Sequence, residues 1–467
     1  MPDDPPALPS LPPSILRRSQ TDEYVAPAYT DADRRVLRAT HATGTAAAER
    51  LGVGNAPYWG SRFGTAAGLR ALDAEYGDFY VVPPEAVVDR EAAASVFDGP
   101  ETVLDVQTHY IAGRAPTFVT EFLLDMYRQL MPSWWTELEG DRAYDFAEYL
   151  RCVFLGSETA VAVLTSGPGL DEGRYLFNDE MAATRVLFER LGETGRLLNH
   201  AVVHPNVPVE LASMEKWRDA YGPAGWKVYT LGHSQGGAKV PGSMWMLDDE
   251  QTGIPFLERV RELGPKLVCA HKGLSGLVAA GSPSDIGPSA AAFPDITFLV
   301  YHSGYEISTD PSTLEGPYTP ETGHVGVNRL VTSLRGNGVE PGSNVYAELG
   351  STWFCMIRHP QEAAHVLGKL LLAVGEDNVL WGTDGIWYGP TQPTIDAFRA
   401  FEIPVEYQER YGYPALTPER KAKILGLNAA RVYGIDLAAA RERAATDDLA
   451  WARAALDEFR THGAPRL

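Results

Sequence analysis

From Val103 onward the chain alternates short β-branched or apolar runs with longer amphipathic stretches. Eight runs recur, each ending in a polar residue: "VLDVQTHY" (103–110), "TAVAVLTS" (159–166), "LLNHAVVHPN" (197–206), "WKVYTLGHS" (226–234), "KLVCAHKGL" (266–274), "ITFLVYHSGYE" (296–306), "NVYAELG" (344–350) and "NVLWGTDGIWYG" (378–389). Most lie roughly 30–45 residues apart, with helical patterns such as "PFLERVRELG" (255–264) and "HPQEAAHVLGKLLLAVG" (359–375) between them. This rhythm predicts an α/β fold, a (β/α)₈ TIM barrel with an N-terminal arm and C-terminal helices, running from Val103 to about Tyr388.

Two closing helices are expected at 417–434, capped by Thr417, and at 447–463. Residues 1–20 are proline-rich and read as a flexible arm, while Val25 to about Pro100 mixes short helical patterns with turns, as an accessory arm or lid would. Residues 311–330 read as a long insertion at the barrel mouth. The expected organisation is an arm and accessory segment (1–100), a barrel (101–435) and a helical extension (436–467).

Composition narrows the partners. A formal net charge of -21 over 467 residues, with no basic run, excludes binding to a nucleic-acid backbone, so a small-molecule substrate is expected. Cys152, Cys269 and Cys355 are far apart and suggest neither a disulfide framework nor a thiolate zinc site. No membrane-spanning window is present, and no apolar segment follows Arg17-Arg18, so a cytoplasmic enzyme is expected.

Barrel strands deliver their C-terminal residues to one shared mouth. Here those residues are His109, His204, His233, His271 and His302 on strands one, three, four, five and six, with Glu348 on seven and Asp384 on eight. Each alone has an ordinary reading: a core histidine bonded to backbone, a salt-bridging Glu348, a turn-forming Asp384. Together, in a chain of 11 histidines, they point to a metal, because several imidazoles with one or two carboxylates suit zinc, iron or manganese.

The segments "DVQTHY", "CAHKGL", "VYHSGYE", "NVYAELG", "VLWGTDGIWYG" and "ILGLNAARVYGI" resemble the amidohydrolase superfamily, in its branch of metal-dependent hydrolases and decarboxylases, over about Val103 to Ile435. The resemblance implies His109, His271, His302 and Asp384 as ligands of one or two metals, and a homodimer. Gln107 replaces the first histidine of the family's H-x-H and can offer at most a weak amide oxygen to a metal or a hydrogen bond to one of its ligands. His233 stands where dinuclear members carry a bridging residue, which suggests a rebuilt two-metal site with Glu348 and His204 as further ligands or orienters. Lys272 either neutralises a substrate carboxylate or lies outside the barrel; Trp134, Trp135, Trp387 and Tyr388 wall a pocket or pack as ordinary core.

Three functions follow. The first is a dinuclear non-haem iron (Fe/Fe or Fe/Mn) monooxygenase, similar to hydroxylases of platensimycin-type diterpenoid biosynthesis, needing O₂ and an external reductant; Asp384, His302 and Glu348 would be its catalytic residues. The second is a zinc- or manganese-dependent hydrolase or non-oxidative decarboxylase of a small carboxylic acid, amide or lactone. The third is a non-catalytic member that has lost a metal. A separate reading takes "GHSQGG" as a nucleophile elbow with Ser234, Asp384 and His462 as a triad, which would leave the other strand-end histidines unexplained.

Overall fold

The computed structural model describes residues 12–17, 27–112, 144–170, 174–191, 195–235, 238–307 and 314–462. All eight apolar runs form strands of one barrel. The first two are β1 (Val103–Thr108) and β2 (Thr159–Leu164); the third is split into β3 (Leu197–Asn199) and β4 (Ala201–Val202). The fourth strand is β5 (Trp226–Tyr229), followed by a small hairpin of β6 (Ser234–Gln235) and β7 (Ala238–Lys239). The remaining strands are β8 (Leu267–His271), β9 (Thr297–Tyr301), β10 (Val345–Glu348) and β11 (Val379–Leu380).

Every neighbouring pair of barrel strands is parallel, in the order β1-β2-β3 and β4-β5-β8-β9-β10-β11. The two arcs join at His200, whose N–H bonds Leu164 while the next N–H, of Ala201, bonds Gly225. The ring closes where Val106 donates to the Trp381 carbonyl (3.1 Å), Asp384 to Gln107 (2.9 Å) and His109 to Gly385 (2.6 Å).

Along the strands the period of two separates two cores. Trp226, Val228, Val268, Ala270, Phe298, Val300, Val345 and Ala347 pack into the large cluster shared with the helices. Leu267, Cys269, Leu299 and Tyr301 alternate with them and join Leu104, Val106 and Leu380 in a separate cluster. The second set is therefore the barrel filling, and His271 and Glu348 continue the same faces towards the mouth.

The closing helix is confirmed with one refinement. Thr417 caps Pro418–Ala422, but Lys423–Leu427 widens into a π turn before Asn428–Tyr433 resumes. The wide turn lets Ile424 accept a bond from the Trp381 N–H, and Gly426 is required there because a Cβ would lie 1.9 Å from the Thr102 carbonyl.

The accessory segment differs from the expected short pieces. It contains a 21-residue helix, Asp31–Leu51, with a capping box at Thr30, and a second, Arg62–Tyr76. Their apolar faces share the main core with the helix Gln392–Ala400, and Tyr80 bridges to Phe401. Arg62 pairs with Asp98 inside the segment and ties it to the barrel through Glu158 (2.6 Å) and the buried Asp396 (3.3 Å). Of the stretch 311–330, residues 314 onward are described: Glu315 is buried and paired with Lys369 of the helix Pro360–Ala373, and Asn328–Gly336 is helical.

Candidate active site

The strand-end residues separate into two clusters on opposite arcs of the mouth. The first is supplied by strands one, five, six, seven and eight. Asp384 is at its centre, wholly buried, with a left-handed backbone (φ 57) that turns its carboxylate back over the strand ends. Its Oδ1 lies 2.8 Å from His109 Nε2 and accepts a bond from Gln107 Nε2 (2.9 Å), while its Oδ2 accepts from Ser351 Oγ (2.5 Å). His109 Nδ1 faces the Thr165 carbonyl (3.1 Å) and His302 Nδ1 faces that of Gly350 (2.7 Å). A ring nitrogen facing a carbonyl must donate, so both rings are fixed with Nδ1 protonated and Nε2 as the reactive nitrogen.

His271 meets His302 edge to face, ring centroids 4.7 Å apart, and stacks on Tyr229 at 4.9 Å. Glu348 is fully buried; its Oε2 accepts from the His302 N–H (3.1 Å) and its Oε1 from the Gly350 N–H (2.5 Å). Gly382 makes room for it, since a Cβ there would lie 1.7 Å from Oε1. The "WGTDG" pattern thus serves Glu348 as well as Asp384. His302, Ser303 and Ser351 also hold positive φ (64, 53 and 53), a concentration of backbone strain typical of functional sites.

Burial and neighbouring charge act differently on these groups. Burial alone would raise the Asp384 pKa, but the His109 hydrogen bond, the charges of His109 and His302 and the Ser351 hydroxyl outweigh it and hold the group well below the usual carboxylate range. Burial pushes Glu348 up to about 8, with the Asp384 charge adding to it against His302. Burial, then His302 and Lys227, press His271 well below the ordinary histidine value.

Beneath this cluster the barrel interior carries polar residues that no sequence motif marked. The Lys227 ammonium lies over the rings of Tyr301 (3.7 Å) and Tyr229 (4.6 Å). His200, held to about 3 by burial and then Lys227, bonds the Tyr433 hydroxyl at 2.9 Å. Asp105 accepts from Thr383 N (3.0 Å) and Oγ1, and burial pushes it up to about 7.

The second cluster belongs to strands two, three and four. His204 is wholly buried, its Nε2 against the Pro168 carbonyl (3.0 Å) and its Nδ1 against Glu210 Oε2 (2.9 Å) and Arg174 Nη2 (3.0 Å). Both its nitrogens are thus engaged by protein groups. His233 packs edge to face on it at 5.2 Å; burial, then the His204 charge, lowers its pKa. Lys272 joins neither cluster: its Nζ bonds Asp285 (2.6 Å) and the Ala280 carbonyl (2.9 Å), both ion-pair partners being completely buried. Ser234 lies in the β6–β7 hairpin, and the next helix among the described residues begins only at Gly253, so the described residues do not place Ser234 on the strand-to-helix turn of a nucleophile elbow.

Trp387 packs 6.2 Å from the His109 ring and against Tyr144 and Tyr175, and Tyr388 stacks on Phe354 at 3.8 Å. Trp134 and Trp135 lie outside the described residues. The unexpected member of the site is Ser351, which carries no motif of its own and is found only through its bond to Asp384.

Among the described residues, no three His, Cys, Asp or Glu side chains are gathered as a ready metal cage. The donor chemistry nevertheless suits one. His109 Nε2 and Asp384 Oδ1 lie 2.8 Å apart, and a divalent cation could be held between the same two atoms. Carbonyl-anchored Nδ1 atoms are also the usual support of imidazole ligands.

No curated protein sequence matched this chain. Several solved structures resemble it, including an uncharacterised TIM-barrel protein from Bordetella bronchiseptica (16% identity over 73% of this chain and 99% of that one, TM-score 0.46). Another is 2,6-dihydroxybenzoate decarboxylase from Rhizobium (14%, 72% and 99%, 0.45). A third is 5-carboxyvanillate decarboxylase from Novosphingobium aromaticivorans with bound manganese (15%, 72% and 98%, 0.42). Residues 178–435, more than half of the chain, match the amidohydrolase family model, and the chain therefore belongs to the amidohydrolase family.

Proposed function

We propose that this protein is a metal-dependent hydrolase or non-oxidative decarboxylase acting on a small carboxylic acid, amide or lactone. The observation that carries the reading is the His109–Asp384 contact, two potential ligand atoms from strands one and eight 2.8 Å apart at the closing seam of the barrel. His109, His271 and Asp384 would hold one divalent metal, zinc or manganese. Such an ion supplies Lewis-acid polarisation of a substrate oxygen.

The remaining groups act on the substrate directly. His302, oriented by the Gly350 carbonyl, moves the proton at its Nε2. Gln107 acts through Asp384 instead, its amide N–H donating to Oδ1 and fixing the carboxylate. Trp387, Tyr144 and Tyr175 offer an apolar wall to the body of the substrate.

The dinuclear iron monooxygenase is the weaker reading. It needs a further set of ligands, and His204, the strand-three candidate, has both nitrogens bonded to protein groups beside Glu210 and Arg174. The test is elemental analysis of protein produced with iron, manganese and zinc all supplied, paired with oxygen uptake after reduction. One divalent metal per chain is expected, lost in His109→Ala and Asp384→Ala but kept in His302→Asn, which should lose turnover alone. Two irons per chain with oxygen consumption would overturn the proposal in favour of the hydroxylase.

A further inference from the structure

We infer that Ser351 and Tyr388 are a positioning pair that fixes the Asp384 carboxylate so that Oδ1 alone faces the metal. The geometry gives the pair a direction. An ionised carboxylate only accepts hydrogen bonds, so the Ser351 hydroxyl donates to Oδ2 at 2.5 Å. Ser351 Oγ must then accept its second bond from the Tyr388 hydroxyl, with which it is also in contact. The chain runs Tyr388 O–H to Ser351 O–H to Asp384 Oδ2, and each link strengthens the next.

Each member is held in place independently. Ser351 is 1% exposed and its left-handed backbone aims the side chain at Asp384. The segment that carries it is stitched to the sixth strand by Thr352 Oγ1 to the His302 carbonyl (3.1 Å) and by Ser303 Oγ to the Glu348 carbonyl (2.7 Å). The Tyr388 ring is stacked nearly parallel on Phe354, in the short helix Thr352–Met356 that follows Ser351. With Oδ2 bonded by Ser351 and Oδ1 bonded by Gln107, the carboxylate has one orientation, and the direction left at Oδ1 is the one towards His109 Nε2 (2.8 Å), where a cation would be held.

This inference rests on the reading of Asp384 as a ligand, and the experiment separates the two. Manganese(II) and zinc(II) affinities are measured by chelator competition for the parent, Ser351→Ala, Ser351→Gly and Tyr388→Phe, with a crystal structure of Ser351→Ala. Loss of an orienting hydroxyl should weaken metal binding about 10-fold or more in both Ser351 variants and less in Tyr388→Phe. Glycine relieves the backbone at φ 53, so weakening in both variants assigns the effect to the hydroxyl rather than to strain. Unchanged affinities in all three variants would overturn the inference. If the parent itself takes up neither metal, the metal proposal fails, and the crystal structure then decides the pair: a rotated Asp384 carboxylate supports it and an unmoved one refutes it.

Discussion

Lys272 gives the sharpest test of how the mouth is divided, because its neighbour in sequence, His271, is a proposed metal ligand while Lys272 itself pairs with Asp285. Its Nζ lies 2.6 Å from Asp285 Oδ2, with both side chains at 0% exposure, and Asp285 also accepts from the Leu247 N–H at 2.8 Å. Burial lowers the Lys272 pKa and Asp285 pulls it back, so the pair is held together by mutual need in a dry environment. Lys272→Met keeps the stem but leaves a buried carboxylate without its cation, which costs about 3–5 kcal/mol.

For 467 residues, an unfolding entropy of about 2.1 cal/mol/K per residue gives roughly 1 kcal/mol/K, so the expected fall in Tm is about 3–5 °C. The double variant Lys272→Met/Asp285→Asn removes both charges and keeps an acceptor for Leu247, and it should recover most of that loss. Calorimetry on the single and double variants measures the cycle, and steady-state kinetics on the folded single variant should show KM unchanged. A Tm within about 1 °C of the parent, together with a KM raised tenfold, would refute the reasoning and return Lys272 to the substrate.

Two further outcomes follow from buried charge away from the mouth. Arg62→Ala strips the partner from Asp396, which is 1% exposed, and should cost on the order of 3 kcal/mol by denaturant titration; a change below about 0.5 kcal/mol would mean that the network behaves as surface charge. Burial, with the Glu315 charge adding to it, raises Glu362 from 4.5 to about 7 against the bond from the Glu315 N–H, so between those values the folded chain holds a proton that the unfolded chain has lost. Stability from this group therefore falls as pH rises through that window, and Glu362→Gln should be up to about 3 kcal/mol more stable than the parent at pH 8 and equal to it at pH 4. A gain that is the same at both pH values would contradict that origin.

The barrel was legible because its strands advertise themselves twice, by alternating apolar residues and by a polar residue at the end of each run. The long helix Asp31–Leu51 was not, because its buried face is Val36, Leu37, Thr40, Gly44, Ala47 and Ala48. Small residues give little apolar periodicity, yet they let two helices approach closely. The closing helix was read correctly as an element but not as a π turn, since that widening answers to the Thr102 carbonyl more than 300 residues away in sequence.

The site was legible as residue types and not as partnerships. His109 and His204 look alike in sequence, each a histidine closing an apolar run. What separates them is long-range: His109 meets Asp384 across the closing seam of the barrel, while His204 meets Arg174 and Glu210 from elements on either side. Histidine density therefore marks the mouth but cannot say which rings share an ion. A carboxylate can, because it must be supplied with donors wherever it is buried. Following the donors of Asp384 outward leads to His109, Gln107 and Ser351, and through Ser351 to Tyr388. His204 belongs to a different tree, with both ring nitrogens bonded to Pro168, Glu210 and Arg174, and that engagement is the physical reason to favour one metal over two on this mouth.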